Sequence, residues 1–294
     1  MPLTVAERIL YSTTNLTAYQ GGAVIGTGTG FFYTLSLGPD SIYYLMLTNK
    51  HVLTGATEIA VKFHIAADDP DGAPSGRVRT WKIDVRTFNA KDNLRIIDHP
   101  RDDVDLCAIN MTPDFIEAAE KGYRFFATPM SRAFIPGPED WQSFDALEEV
   151  TMIGCPRGIY DEANNIPVMR RGITSTPILK DFNGKPEFLV DMACFPGSSG
   201  SPIFLFNREG YFDKATKKFL SGKHRFHLVG ILYAGPLIRA DGHVTISDGL
   251  RVEVSTPMHL GFAIRSTQIL GIEAEIHRRR AAKGYPRPTD NAGG

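Results

Sequence analysis

At 294 residues, with 43% hydrophobic and 22% charged side chains, the chain can bury a substantial core without disulfide staples. Its 32 basic and 33 acidic residues leave a formal charge of -1, so no global field draws it to nucleic acid or an anionic membrane, and neither partner is expected. The three cysteines, Cys107, Cys155 and Cys194, form no Cys-x-x-Cys pair and read as reduced core thiols. With no basic N-terminal region leading into a long apolar run, the expected location is cytoplasmic.

Residues 1–20 read as an N-terminal arm or short helix around Leu3 to Leu10, followed by the polar run Tyr11 to Thr17. Strand patterns then follow at Ala23–Tyr33, Ile42–Thr48, Ile59–Ile65, Arg77–Val85 and Val104–Ile109, with glycines in Gly26-Thr-Gly-Thr-Gly30 serving close backbone approaches. Residues 116–145 change character: a short helix starts at Thr112-Pro113 and Pro136-Gly-Pro-Glu-Asp140 is turn-rich, which predicts a linker. A second strand set covers Glu149–Gly154, Val168–Ser175, Glu187–Met192, Ile203–Asn207, His227–Ala234 and Gly261–Ser266, with loops or hairpins at 208–225 and 236–258. A helix is predicted over 267–281 and a disordered tail over 282–294. The pattern is that of a mostly β protein in two similar antiparallel barrels or sandwiches, 21–115 and 146–266.

The chemistry centres on Phe195-Pro-Gly-Ser-Ser-Gly-Ser-Pro202. A hydroxyl nucleophile needs a sharp turn that lifts it into a cleft while backbone N–H groups converge on the carbonyl under attack, and Gly-x-Ser-Gly provides such a turn. Ser199 is the candidate, although Pro-Gly and Ser-Gly pairs also mark plain surface turns. A serine hydroxyl is a poor nucleophile without an imidazole base held by a carboxylate. His51, in Leu47-Thr-Asn-Lys-His-Val-Leu53, and Asp105, in Asp102-Asp-Val-Asp-Leu-Cys-Ala-Ile109, supply both. Taken singly, the histidine could simply cap or pack and Asp105 could face solvent.

The order His51, Asp105, Ser199 within these motifs resembles the chymotrypsin-fold serine peptidases, most of all their bacterial high-temperature-requirement (HtrA-like) branch without a PDZ domain. Ile153-Gly-Cys-Pro-Arg-Gly158, Arg171-Gly-Ile-Thr-Ser175, Leu228-Val-Gly-Ile-Leu232 and Gly261-Phe-Ala-Ile-Arg-Ser266 resemble family strands and turns in the same order. The resemblance implies two antiparallel six-stranded β-barrels with the active site in the cleft between them. It implies a serine endopeptidase acting through an acyl-enzyme: Ser199 as nucleophile, His51 as base, Asp105 orienting it, and Gly197 and Ser199 N–H groups as oxyanion hole. By the same register Ala193 lies near the base of the pocket for the residue before the scissile bond, Tyr233, Ala234 and Gly235 offer an edge to substrate, and Gly261 leaves a wall open. With no acid at that base, a small to medium apolar side chain is expected there.

Ser201 departs from the glycine of many members, and Ser198 replaces the aspartate that a freshly cut N-terminus engages in secreted relatives, so that switch is absent. Regulation could instead come from a mobile loop at 155–170. The alternative function is a catalytically inactive peptide-binding module on the same fold. No cofactor or metal site is expected, since no His-Glu-x-x-His, cysteine cluster or phosphate-binding loop occurs. Expected partners are a protein or peptide substrate, with a regulatory protein or self-association as further options.

Overall fold

The polar run after Tyr11 is a strand. In the computed structural model, which describes residues 3–38, 41–68, 72–85, 94–243 and 251–285 (backbone alone for 237–243 and 251–257), α1 (Val5–Leu10) is capped by Thr4 and Glu7 in a reciprocal box and leads into β1 (Thr13–Gln20). Leu16 and Ala18 are buried along β1, while its threonine hydroxyls find hydrogen-bond partners: Thr14 Oγ1 donates to the Lys62 carbonyl at 3.0 Å and Thr17 Oγ1 accepts from Asn15 Nδ2 at 3.2 Å. Those hydroxyls mask the apolar alternation, so the predicted arm in fact holds a central strand.

β1 lies between β2 (Ala23–Gly38) and, after β3 (Ser41–Thr48) and α2 (Lys50–Leu53), β4 (Glu58–Ala66). With β5 (Pro74–Asp84), β6 (Ile96–Asp98) and β7 (Cys107–Asn110) the order is β5-β4-β1-β2-β3-β7-β6. After α3 (Thr112–Glu120), β8 (Phe125–Phe126) pairs with β4 and β9 (Met130–Ser131) runs parallel to β2. The first half is thus a nine-stranded sheet among the described residues, where six strands were expected, and part of the predicted linker belongs to it. Phe125 has a packing reason to join, since its ring stacks on Phe63 at 4.0 Å.

Beyond α4 (Pro138–Ser143) the second half closes as predicted. Its strands are β10 (Glu149–Gly154), β11 (Val168–Thr174), β12 (Glu187–Asp191), β13 (Pro202–Asn207), then a hairpin of β14 (Gly210–Asp213) and β15 (Lys218–Ser221), and β16 (Arg225–Ala234). A second hairpin, β17 (Leu237–His243) with β18 (Arg251–Pro257), precedes β19 (Leu260–Arg265). The barrel order is β10-β11-β12-β19-β16-β13, filled by Met152, Phe188, Val190, Ile203 and Val229.

The helix α5 (Ile269–Ala282) buries Ile269, Ile272 and Ile276, in one cluster with Phe31, Tyr33, Leu45 and Leu47 of the first half and Ile153, Phe204 and Leu228 of the second. Each such isoleucine contributes about 1.5–3 kcal/mol of burial, so helix and halves share one core. The basic run Arg278-Arg-Arg280 is spent internally: Arg278 and Arg279 pair with Glu275, and Arg280 donates to the Tyr43 hydroxyl. Residues 286–294 of the predicted tail lie outside the described residues. Among the described residues no helix is long and apolar enough to cross a membrane.

Candidate active site

β3 ends at Thr48, and the chain turns through buried Asn49 into the single-turn α2, which carries His51 to the surface. Asn49 Nδ2 donates to the Asp105 carbonyl at 2.6 Å and the His51 N–H donates to Asp105 Oδ1 at 3.1 Å. His51 Nδ1 and Asp105 Oδ2 lie 2.5 Å apart. Asp105 does not enter a strand as the pattern predicts; it occupies the turn before β7, fixed by fully buried Leu106 and nearly buried Val104. Burial pushes its carboxyl upward, but the bonds and charge of His51 together outweigh this and hold it below the usual carboxylate range. When the imidazole is neutral, an ionised Asp105 favours the tautomer with its proton on Nδ1, which leaves the lone pair on Nε2.

The serine turn is built by glycines. Ser198 N–H donates to the Phe195 carbonyl at 3.0 Å around Pro196 and Gly197, whose φ of 86 belongs to the third position of a type II turn. A Cβ on Gly197 would stand 2.7 Å from Arg157 N, and one on Gly200, at φ 89, only 1.9 Å from the Thr29 carbonyl. A trans peptide points its C=O and N–H in opposite directions. Arg157 N–H holds the Pro196 carbonyl at 2.5 Å and Ser201 N–H holds the Ser198 carbonyl at 3.0 Å, so the Gly197 and Ser199 N–H groups are turned away from those contacts. Neither of these two N–H groups has a protein acceptor among the described residues.

Thr29, in the middle of β2, joins the halves. Its N–H donates to the Ser199 carbonyl at 2.8 Å, its hydroxyl donates to the Gly197 carbonyl at 2.9 Å while accepting from Cys155 N–H, and its carbonyl accepts from Thr48 Oγ1 at 2.8 Å. Only Asn49 and Lys50 separate Thr48 from His51. The structure therefore brings the His51–Asp105 pair and the Ser199 turn to one junction. The Ser199 hydroxyl donates to the Tyr233 carbonyl at 3.3 Å and makes no hydrogen bond to His51 among the described residues.

Around the serine turn, β16 pairs with β13 as far as Ile231, and two further bonds, Leu232 N–H to Ser201 O and Gly200 N–H to Leu232 O, carry the contact on. Tyr233, Ala234 and Gly235 lie just past them, with the Tyr233 hydroxyl donating to Glu187 Oε2 at 2.6 Å. Gly261 does not leave open space: a Cβ there would meet Cys194 Sγ at 2.5 Å and Leu232 Cδ1 at 2.6 Å. The Cys194 thiol, pushed up to about 11 by burial, fills that wall. Ala193, half-buried, accepts through its carbonyl from Arg170 Nη1. Ser201 fits in place of a glycine because Gly154 faces it, where a Cβ would lie 1.9 Å from Ser201 Oγ.

The loop expected to be mobile is docked. Asn165 Nδ2 donates to the Lys62 carbonyl, its own carbonyl accepts from His64 Nε2 at 3.1 Å, and Lys62 Nζ donates to the Tyr160 hydroxyl. Asn165 and Tyr160 thus find partners on β4, while Asp161 and Asn164 are exposed and bond each other within the loop. Sequence reasoning passed over Thr29, Arg157, Arg170 and Cys194. Thr29 sits within the Gly-Thr-Gly-Thr-Gly run, where alternation could have marked an inward hydroxyl; the other three carry no such mark.

Two β halves, one a closed six-stranded barrel, meeting at a serine turn and a paired histidine and aspartate define the chymotrypsin fold. The family model for the trypsin-like peptidase domain matches residues 28–212, a stretch containing His51, Asp105 and Ser199, and the chain belongs to that family. Solved structures similar to it include the scabies mite inactivated protease paralogue S-I1 and the thermostable serine protease AL20 from an extremophilic microorganism. Each is 11% identical with a TM-score of 0.45, covering 92% and 90% of this chain respectively and 96% of theirs. No curated protein sequence matches the chain.

Proposed function

We propose that the protein is a serine endopeptidase working through Ser199, His51 and Asp105. The observation that carries this reading is the doubly bonded His51–Asp105 pair, linked through Thr48 and Thr29 to the carbonyl of Ser199. In this mechanism the Ser199 hydroxyl leaves the Tyr233 carbonyl, its resting acceptor, and donates to His51 Nε2. As Oγ bonds to the substrate carbonyl carbon, its proton passes to Nε2, and the negative charge gathering on the carbonyl oxygen is met by the unengaged Gly197 and Ser199 N–H groups. The imidazolium returns that proton to the leaving amine as the C–N bond breaks, and water then hydrolyses the acyl-enzyme by the same exchange.

On this reading the side chain before the cut lies against Ala193, Cys194, Gly235 and Gly261, with Cys194 next to both glycines. With the thiol filling the wall beside Gly261, a small to medium apolar residue fits best, and Ala234–Gly235 offers backbone groups to an extended substrate. A peptide-library profile dominated by Lys or Arg before the cut would contradict this preference. For the triad, Asp105→Asn and His51→Ala are each expected to lower kcat by about 10⁴-fold or more with little change in melting temperature. Unchanged turnover in either variant would remove that residue from the mechanism. The resting bond from Ser199 to Tyr233 favours one second reading, a silent peptide-binding module; it predicts saturable peptide binding with no turnover in the wild type.

A further inference from the structure

Ser198 separates the two cleft-facing amides, and its side chain turns inward. The residue is fully buried, and its hydroxyl accepts from Arg170 Nη2 at 2.6 Å. The same guanidinium donates through Nη1 to the Ala193 carbonyl and lies 6.0 Å from the Phe195 ring centroid. One side chain of β11 thus grips the start, middle and end of the segment 193–198. On the same strand Arg171 faces outward and pairs with Glu149, as the period of two requires.

Arg170 is a cation in a half-buried position. Its buried Nε has no partner among the described residues. Burial pulls the guanidinium below its usual range, and among the described residues no carboxylate pairs with it; the titratable groups acting on it are the neutral Cys194 and Cys155 thiols. A half-buried cation with no counter-ion among the described residues costs stability, so its position calls for a use.

We propose that Arg170 is the positioning residue of the serine turn: by clamping the Ser198 hydroxyl to the Ala193 carbonyl it fixes the Ser198–Ser199 peptide with its N–H toward the cleft. The carbonyl of that peptide is already held by Ser201 N–H, so the clamp immobilises the one remaining free side of the turn. Its charge, bonded to the residue between the two amides and paired with no carboxylate among the described residues, adds an attractive field for a developing oxyanion. The kinetic consequence rests on the peptidase reading; the conformational one does not.

The test uses Arg170→Ala, Arg170→Lys and Ser198→Ala in the full chain, with two readouts. Hydrogen exchange is followed at the bonded amides of Arg157, Ser198, Gly200 and Ser201. In Arg170→Ala and Ser198→Ala these should exchange about tenfold faster or more while amides of β13 and β16 stay unchanged; unaltered exchange at the turn would overturn the proposal, even if the wild type hydrolysed nothing and the peptidase reading had failed. In hydrolysis of an apolar peptide substrate, Arg170→Ala should lose about 100-fold in kcat with KM held within about threefold, and added guanidinium ion or Arg170→Lys should restore part of it. A loss confined to substrates with Asp or Glu before the cut, and expressed in KM, would show that Arg170 reads substrate and would likewise overturn the proposal.

Discussion

Thr29 shows how much one hydroxyl can decide. It bridges Cys155 N–H and the Gly197 carbonyl across the junction of the two halves, in a site with no exposure to water. Valine has nearly the same shape, so Thr29→Val removes the bridge and leaves both groups buried and unpaired. Each orphaned group costs about 1–3 kcal/mol. The urea midpoint of Thr29→Val should fall accordingly, and Thr29→Ser, which keeps the hydroxyl, should recover most of it. A valine variant as stable as wild type would mean that the bridge is not formed in solution.

Among elements, β10 and β16 are held at their starts by Arg225, which bonds Glu148 Oε2 at 2.5 Å with both side chains buried, and whose guanidinium lies 4.3 Å from the Tyr211 ring. This fastens the outlying β14–β15 hairpin to the barrel. Glu148→Ala strands a buried cation and should cost about 3–5 kcal/mol in equilibrium unfolding; a loss under about 1 kcal/mol would show that water reaches Arg225. The second half was legible in sequence because its strands are apolar runs between turns, and all six predicted strands are those of the barrel. The first half was harder to read. β1 hides its period behind threonines, while β6, β8 and β9 are of three residues or fewer and exist only by pairing with longer strands. At the site, His51, Asp105 and Ser199 stood out because each combines a reactive group with a turn or strand end. Arg170 did not, since an Arg-Arg pair on a strand looks like solvated charge until the inward face is known.

For the whole molecule, two buried histidines link folding to pH. His64 fastens the loop at Asn165 to β4, and His99, whose Nδ1 accepts from Arg101 N–H at 3.2 Å, faces Gly271 of α5, where a Cβ would lie 2.3 Å from its Nε2. Burial lowers the pKa of both, so the folded protein keeps them neutral where the unfolded chain, titrating near about 6.5, takes up protons. Below that value the unfolded state binds more protons, and stability falls as pH drops toward the lower folded values. The depressed Asp105 adds a further loss at more acid pH, as the medium passes through its folded pKa. The urea midpoint should therefore be level above about pH 7 and decline toward pH 5, each histidine contributing up to about 1.4 kcal/mol per pH unit; a midpoint that held or rose over that interval would contradict the burial of these rings as neutral groups. At the same scale, the junction of two halves serves catalysis only if the serine brought there is reactive. The most direct measurement is intact mass after exposure to a fluorophosphonate at neutral pH under reducing conditions. One adduct, mapped to Ser199, lost in Ser199→Ala and retained when a remote serine is replaced, is the expected result; a wild type that stays unlabelled, or a label that persists in Ser199→Ala, would contradict it.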